Sequence, residues 1–554
     1  MWYKMADNGD TKQTQSSSPG TDTNLKYWDP ENEKFWEEHG KSIGTRNLWI
    51  SIPNLLLGFA VWIIWSVVIV LIQSLHDSDP EQFGFSDLGD LTPTEYKVIL
   101  YSLPAVAGLA GATLRIPNSF MISISGGRNV IASTTLLLLL PMAALGIALQ
   151  DPNVSFLTLI IIAAVSGVGG GAFASSMSNI SFFFPKRVQG TSLGLNAGLG
   201  NVGVSVMQLL VPIVISVKLF GFLTGDGYSD GSDTVYIQNA GLVWVPLSAI
   251  FLLAAWFKMN NLPQHDVSDT KNALSKFFYL ELIGFIAAGV GVTLLMVFYT
   301  DFQGKPSFIL FALILVIISV AITLAMMRYG TQPEVQENLE NQFKIFNNKH
   351  NWIMTWLYIM TFGSFIGFSA AFPKLIKDSF GYLADGTTEN PDAPNPLAFA
   401  WLGPLVGSLA RPIGGWMSDK WGGAKVTQYD IIAMILSTLG VGYTLSLSKN
   451  SDTPEDYFPI FLVLFLLLFI TTGIGNGSTF RMVPMIFERE QAGPVLGWTS
   501  AIAAYGAFII PLIFGVSIAK NVPEYAMYGF ATYYLSCLFL NWFYYARKNA
   551  EMPC

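Results

Sequence analysis

The chain has 554 residues, 52% hydrophobic and only 12% charged, with a formal net charge of −8. Its repeated apolar runs, long enough to cross a bilayer, mark an all-α polytopic membrane protein bedded in lipid. The acidic balance sits mainly in the N-terminal tail and in loops such as HDSDPEQFGFSDLGD and points to no nucleic-acid partner. The two cysteines, Cys537 and Cys554, leave no disulfide framework and no thiolate metal or cluster site.

In chain order, residues 1–45 are polar and carry no cleavable signal peptide, so they are expected to form a cytoplasmic tail. Spanning helices are predicted at 48–75, 97–122, 129–149, 156–184, 191–217 and 241–259, an N-terminal six-helix half within 46–260. Two further apolar segments, 276–299 and 306–328, fall in a central linker, 261–350. The second half, 351–548, has predicted helices at 352–377, 396–417, 426–448, 457–486, 493–519 and 525–546, and 549–554 is a short tail. About fourteen helices result, arranged as six, two and six.

Charge asymmetry orients them. With the N-terminus inside, twenty of the 30 Lys and Arg lie in internal segments, among them Arg128, Lys186, Arg187, Lys425, Arg489, Arg547 and Lys548. Seven are external, and Arg115, Arg411 and Arg481 lie within spans. Both termini are then cytoplasmic in a multi-pass cell (inner or plasma) membrane protein. The inserted pair enters and leaves on one side, preserves the topology of both halves, and reads as an accessory hairpin outside the transport path.

An internal repeat relates the halves. At a constant offset of 303, Phe184 matches Phe487, Gly190 matches Gly493, Leu193-Gly194 match Leu496-Gly497 and Gly203 matches Gly506. Parallel six-helix repeats with a site at their interface describe the major-facilitator architecture. On the helix GLNAGLGNVGVSVMQ a turn of about 100° per residue puts Gly194, Gly198, Asn201 and Ser205 on one face. Asn196, Gly200 and Gly203 lie nearly opposite. The second half repeats this with Gly497, Ala501 and Ala504 against Thr499, Ala503 and Gly506. A helix smooth on two sides packs closely on one neighbour while its other side approaches a ligand or slides; ordinary tight packing is the competing reading.

The most informative residues are Arg115 and Arg411. Each has a glycine four residues before it (Gly111, Gly407) and a Gly-Gly pair eleven and twelve residues after it (Gly126-Gly127, Gly422-Gly423). A guanidinium in the bilayer costs about 2.5–3.5 kcal/mol on insertion scales and so usually faces an internal cavity. Its planar fork fits two oxygens of a planar anion in a way lysine does not, and two opposed forks suit a small trigonal anion such as nitrate. Snorkelling to the interface is the competing reading; a position about ten residues before the turn argues for depth.

Other charged groups are weaker candidates. Arg481 matches Ser178 of the first half, and a loop acid or lipid phosphate competes with substrate as its partner. Glu281, near the inner end of an inserted helix, is expected to be solvated. The stretch GGWMSDKWGGAK, with Asp419 and Lys420, resembles the facilitator gating loop; Ser123 stands where the first half would carry the acid. No Asp or Glu is placed in the middle of the twelve repeat helices, and none of the four histidines within a span, so proton coupling has no obvious carrier.

The runs RNLWISIPNLLLGF, LRIPNSFM, FASSMSNISFFFPK, GLNAGLGNVGVSVMQ, LYIMTFGSFIGFSAAF and LARPIGGWMSDKWGG resemble the NarK-type nitrate/nitrite porters, densely from about residue 30 to the C-terminus except in the linker. The resemblance implies that Arg115 and Arg411 grip the anion between Phe173, Tyr358 and Phe362. It also implies nitrate-signature helices over Gly194, Gly198, Gly200, Asn201 and Gly203, and over Gly497 and Gly506. Alanines 501 and 503 depart from the second glycine motif, and the inserted pair departs from a short central linker. The implied activity is nitrate/nitrite antiport, with proton-coupled symport of nitrate or nitrite as the alternative. Neither metal nor cofactor is expected, nor enzymatic activity, since an enzyme acting on nitrate needs metal or haem ligands. A monomer is expected.

Overall fold

A backbone surrounded by hydrocarbon has no water to bond and must satisfy its N–H and C=O groups within helices. The computed structural model, which describes residues 23–554 apart from 231–232, 264–266, 268, 303–304, 385 and 387, is built accordingly. Its long helices are α1 (Glu33–Ser78), α2 (Pro93–Asn118), α3 (Gly127–Ala148), α4 (Phe156–Phe183), α5 (Lys186–Val214), α6 (Asn239–Lys258), α7 (Thr270–Val297), α8 (Ser307–Gly330), α9 (Lys349–Phe380), α10 (Leu402–Trp421), α11 (Gly423–Ser448), α12 (Pro454–Ile486), α13 (Gln491–Ala519) and α14 (Pro523–Asn541). Twelve are long and apolar enough to cross a membrane; α10, which carries Arg411, Asp419 and Lys420, and the tyrosine-rich α14 have the length but more polar composition. A two-stranded antiparallel hairpin, β1 (Tyr228–Asp230) with β2 (Asp233–Val235), lies between α5 and α6.

Boundaries move where side chains outside the apolar runs find partners. The first helix starts within the segment read as tail: Asn32 caps it by accepting from the Phe35 N–H at 3.1 Å, and Trp36 packs edge-on to Phe184 at 5.5 Å. The repeat is visible in backbone detail. Gly126 and Gly422, each eleven residues after its arginine, both take positive φ (+78° and +91°), a conformation that disfavours any side chain, as each chain turns into the next helix.

The two faces of α5 differ as the periodicity suggests. On one, a Cβ at Gly203 would lie 2.1 Å from the Leu56 carbonyl oxygen and one at Gly200 2.5 Å from Leu55, so this face locks onto α1 in its own half. On the other, Gly198 stands off Pro412 of α10 by 3.6 Å, Ser205 bonds the Trp401 carbonyl at 2.6 Å, and Gly194 has nothing near it. Gly506 repeats the tight contact in the second half, 2.1 Å from the Gly363 carbonyl, while Gly497 meets Ser119 of α2 across the interface at 2.9 Å. The small residues therefore serve both readings: close packing within a half, looser contact between halves.

The end of the molecule away from the chain termini is clasped by polar groups from both halves. Lys374 and Asp378 form a fully buried ion pair at 2.6 Å; Tyr101 donates to Asp378 at 2.9 Å, Gln73 to Tyr382 at 2.7 Å, and Tyr382 to Asp77 at 2.7 Å. Lys374, counted from the sequence among the external-side charges, is buried at this end, where the carboxylate one turn on neutralises it. At the opposite end, Gly190, Gly415 and Gly493 face open space.

The inserted helices α7 and α8 form a pair. Its α8 side is apolar and outward, with Leu310 and Ile317 exposed, whereas α7 docks on α2: a Cβ at Gly284 would be 2.7 Å from Leu114, and one at Gly291 3.1 Å from Leu109. Glu281, expected to be solvated, is buried to 2% exposure and accepts from Asn118 of α2 at 2.7 Å. The local sequence hides this, because α7 presents one face to protein and the acid lies on it.

Candidate anion site between the halves

The two arginines meet at one aromatic ring. The guanidinium carbon of Arg115 is 5.0 Å from the centre of Phe173, and that of Arg411 5.5 Å from the same centre. They are close enough for their charges to repel. Both side chains are buried, at 0% and 4% exposure, and neither has an ion-pair partner among the described residues.

Arg115 is held on α2 by backbone. Its Nε donates to the Gly170 carbonyl at 2.7 Å, and its Nη1 to the Ser500 carbonyl of the other half at 3.2 Å. Trp62 (5.1 Å) and Phe362 (5.1 Å) add ring faces to that of Phe173. Trp62 reaches this place because residue 111 has no side chain: a Cβ there would lie 2.2 Å from the indole nitrogen, which donates to the Ala107 carbonyl at 2.8 Å. Gly407 plays the matching part on α10, where a Cβ would be 2.9 Å from Phe365, the residue that corresponds to Trp62 at the offset of 303.

Arg411 is held more lightly. Its Nη2 donates to the Tyr358 hydroxyl at 3.2 Å, and Phe480 lies 4.9 Å away. The aromatic wall is continuous: Phe173 stacks on Phe362 at 5.7 Å, Tyr358 on Phe362 at 5.7 Å, and Tyr358 meets Phe480 at 5.0 Å. A π-helical turn, Ile359–Gly363, follows directly on Tyr358 and carries Phe362.

Arg115 Nη2 and Arg411 Nη1 are buried with no hydrogen-bond partner. Rings and carbonyls solvate a guanidinium, each ring contributing at most about 2 kcal/mol, but do not neutralise it. Orphaned donors on two neighbouring buried cations have the chemistry to bond the oxygens of a small anion.

The sequence-derived candidates distribute unevenly. Arg115, Arg411, Phe173, Tyr358 and Phe362 come together. Asn201 is buried with an unpartnered carbonyl oxygen on the face of α5 towards α10, and no contact with either arginine is observed. Gly194, Gly198, Gly200, Gly203, Gly497 and Gly506 shape helix crossings and do not line the pocket. Asp419 pairs with Arg481 of α12, both exposed, and Lys420 lies over Trp416 and Trp421; Arg481 is thus a loop-anchoring cation outside the pocket. Trp62 and Phe480 were not anticipated. The repeat pairing of Trp62 with Phe365 carried a signal for the first, whereas Phe480 corresponds to Met177 and carried none.

One expectation about charge needs correction, since histidines do lie within the long helices, His39 and His76 in α1 and His350 in α9, and two carboxylates towards helix ends are buried. Asp430 lies within α11 and is buried against Gly475 and Thr361, with Oδ2 unpartnered. Asp378 is inside the clasp described above. His350 is the second residue of α9 and bonds the Tyr545 hydroxyl at 3.0 Å; His265 lies outside the described residues. Carboxylates near helix ends escape a reading that weighs only the middle of each span.

No family model matches the chain. Among characterised relatives, it is 38% identical to the "Probable nitrate/nitrite antiporter NarK2" of Thermus thermophilus, over 95% of this chain and 97% of that one. It is 37% identical to the nitrate/nitrite transporter NarU of Salmonella typhimurium and 36% to that of Escherichia coli, again over 95% of its length and 97% and 96% of theirs. The chain belongs to the NarK/NarU family of nitrate/nitrite transporters. Among solved structures, a D-xylose–proton symporter superposes with a TM-score of 0.57 at 12% identity, covering 89% of this chain and 96% of its own. The partially occluded, inward-open xylose transporter XylE of E. coli does so with 0.52 at 13%, covering 91% and 99%. At such identities the likeness shows the fold alone, the major-facilitator fold.

Proposed function

We propose that this protein exchanges nitrate for nitrite by alternating access, with Arg115 and Arg411 gripping the anion and Phe173, Tyr358, Phe362, Trp62 and Phe480 walling it in. One observation carries this: two buried, opposed guanidiniums, each with an orphaned N–H donor, flank one phenylalanine ring without an anionic side chain between them. With the site empty, closing the halves brings two cations together in a low dielectric. A monovalent anion offsets part of that charge and bridges the forks, so it binds the closed state better than the open one, as a substrate-driven change requires. The carrier then crosses mainly when loaded, and net movement needs a returning anion. Nitrite keeps the charge and a pair of oxygens. The names of the relatives support the substrate pair.

The clasped end is the outer mouth in this reading and the glycine-lined end the cytoplasmic one, with both termini cytoplasmic and the protein monomeric in the cell membrane. The buried Asp430 favours a second reading, proton-coupled nitrate uptake. Purified protein in vesicles, with and without trapped nitrite and with and without a pH gradient, separates the two. Uptake of labelled nitrate that requires internal nitrite is exchange; uptake into empty vesicles that follows the pH gradient is symport.

A further inference from the structure

Glu281 and Asn118 meet where the inserted helix α7 docks on α2, the helix of Arg115. Asn118 donates from Nδ2 to the Leu114 carbonyl at 3.0 Å and to Glu281 Oε1 at 2.7 Å. That fixes the amide's orientation, because reversing it would set its oxygen against both acceptors. Two acceptor atoms are then left buried without a donor, Asn118 Oδ1 and Glu281 Oε2. Gly171 of α4 closes the pocket, since a Cβ there would lie 2.7 Å from Asn118 Nδ2.

Among the described residues no cation pairs with Glu281. Arg115, three residues before Asn118, bonds Gly170 and Ser500 and lies against the aromatic rings, and it forms no hydrogen bond or ion pair with Glu281. On α3, Arg128 lies over Trp256 and bonds Asn129; on α8, Arg328 lies over Tyr329. The stretches of α4 and of Met121–Ser125 packed beside α7 carry no titratable residue. On α7 itself Tyr279 donates to the Gly330 carbonyl, and Lys276 forms no ion pair with Glu281. A bare carboxylate with one amide donor is the costly form in such a place, and what the pocket lacks is a single donor hydrogen.

We infer that Glu281 and Asn118 form a proton-binding site that links the inserted hairpin to the substrate helix and makes the rate of transport depend on pH. The bound proton supplies the missing O–H donor: a carboxylic acid facing a primary amide matches N–H to C=O on one side and O–H to C=O on the other. The proton comes from water and returns to it, and no other bond is made or broken. The site bears on transport because Asn118 ends α2. The next residue, Ser119, donates to the Arg115 carbonyl at 2.8 Å and meets Gly497 of α13, where the halves cross. Charging the acid loosens the seat of α7 on the last turn of α2, and with it that crossing. The hairpin read from the sequence as an accessory is thereby tied to the moving helices.

The inference rests on the transport activity proposed above, and one comparison tests it. Nitrate–nitrite exchange is measured in vesicles at equal internal and external pH, across a range of pH, for the wild type and Glu281→Gln. Glutamine reproduces the protonated acid's donor and acceptor and does not titrate. The wild-type rate should change with pH, and the variant should lose that component and hold the wild type's acid-side rate throughout. Superimposable profiles, or a wild-type rate independent of pH, would overturn the site. If the wild type takes up nitrate only under a pH gradient, the exchange reading fails instead, and the two proteins are compared on that uptake. Infrared spectra give a second readout, in which a protonated-carboxyl C=O band of the wild type is lost on alkalinisation and is absent from Glu281→Gln. Should that variant fail to fold, the band must shift in Asn118→Ala; an unmoved band contradicts the assignment.

Discussion

Arg115 and Arg411 occupy matching places in two repeats, and their surroundings differ. Arg115 is fixed by two backbone carbonyls, one from each half, and by three ring faces; Arg411 has one tyrosine hydroxyl and two rings. The position that holds Tyr358 in the second half holds Leu55 in the first. A repeat preserves where a charge stands, while the neighbours added to each copy decide how firmly it is held. In the proposed mechanism Arg115, which also bonds Ser500 across the halves, would be the rigid jaw and Arg411 the adjustable one.

The largest effect expected is from Arg115→Lys and Arg411→Lys. Lysine keeps the charge but loses the fork, and losing one partner of a buried charge contact costs about 2–5 kcal/mol, enough to abolish measurable exchange. Folding should survive in both, with the lower thermal midpoint in Arg115→Lys, through the lost bond to Ser500. Near-normal transport by either variant removes that arginine from the substrate role.

Next come the glycines that admit each arginine's neighbour. Gly111→Ala drives a methyl into Trp62, and Gly407→Ala into Phe365 with the Phe469 carbonyl also at 2.9 Å. Overpacking of this kind costs about 1–3 kcal/mol. Gly111→Ala should lower the thermal midpoint and raise the nitrate concentration for half-maximal uptake more than Gly407→Ala. Equal effects would mean that the two jaws are equally fixed.

Tyr358→Phe removes the one hydrogen bond that orients Arg411 while keeping the ring. A bond to a charged group contributes about 1.5–3 kcal/mol, so nitrate affinity should fall roughly tenfold or more, with the maximal rate less affected. An unchanged affinity would show that the aromatic wall alone holds Arg411. The smallest effect belongs to Asp419→Asn, which breaks an exposed pair with Arg481 worth about 0.2–1 kcal/mol. Its thermal midpoint should barely move, in contrast to Lys374→Met, which strands Asp378 in the clasp at a cost of about 3–5 kcal/mol.

Much of this was legible in the sequence for a physical reason. Arginines in apolar runs, glycines at fixed distances from them and the offset of 303 are local or periodic features, and they singled out the two arginines that the fold brings to one ring and the two faces of α5. What escaped depends on which way a side chain turns in three dimensions. Phe480 has no aromatic counterpart in the repeat, the π-helical turn at Ile359–Gly363 leaves no mark in composition, and Glu281 reads as a solvated charge until its partner one helix away is seen. Asp430 and Asp378 lie towards helix ends, outside a search for mid-span carboxylates, although burial is set by neighbours and not by position along a span.

The central claim is that the paired guanidiniums cross only when an anion neutralises part of their charge. It is tested most directly by adding labelled nitrate to two sets of vesicles containing the wild-type protein, one loaded with nitrite and one empty, with no pH gradient and then with one imposed. The account predicts rapid uptake into the nitrite-loaded vesicles alone, whatever the direction of the gradient. Rapid uptake into empty vesicles that rises and falls with the proton gradient would contradict it.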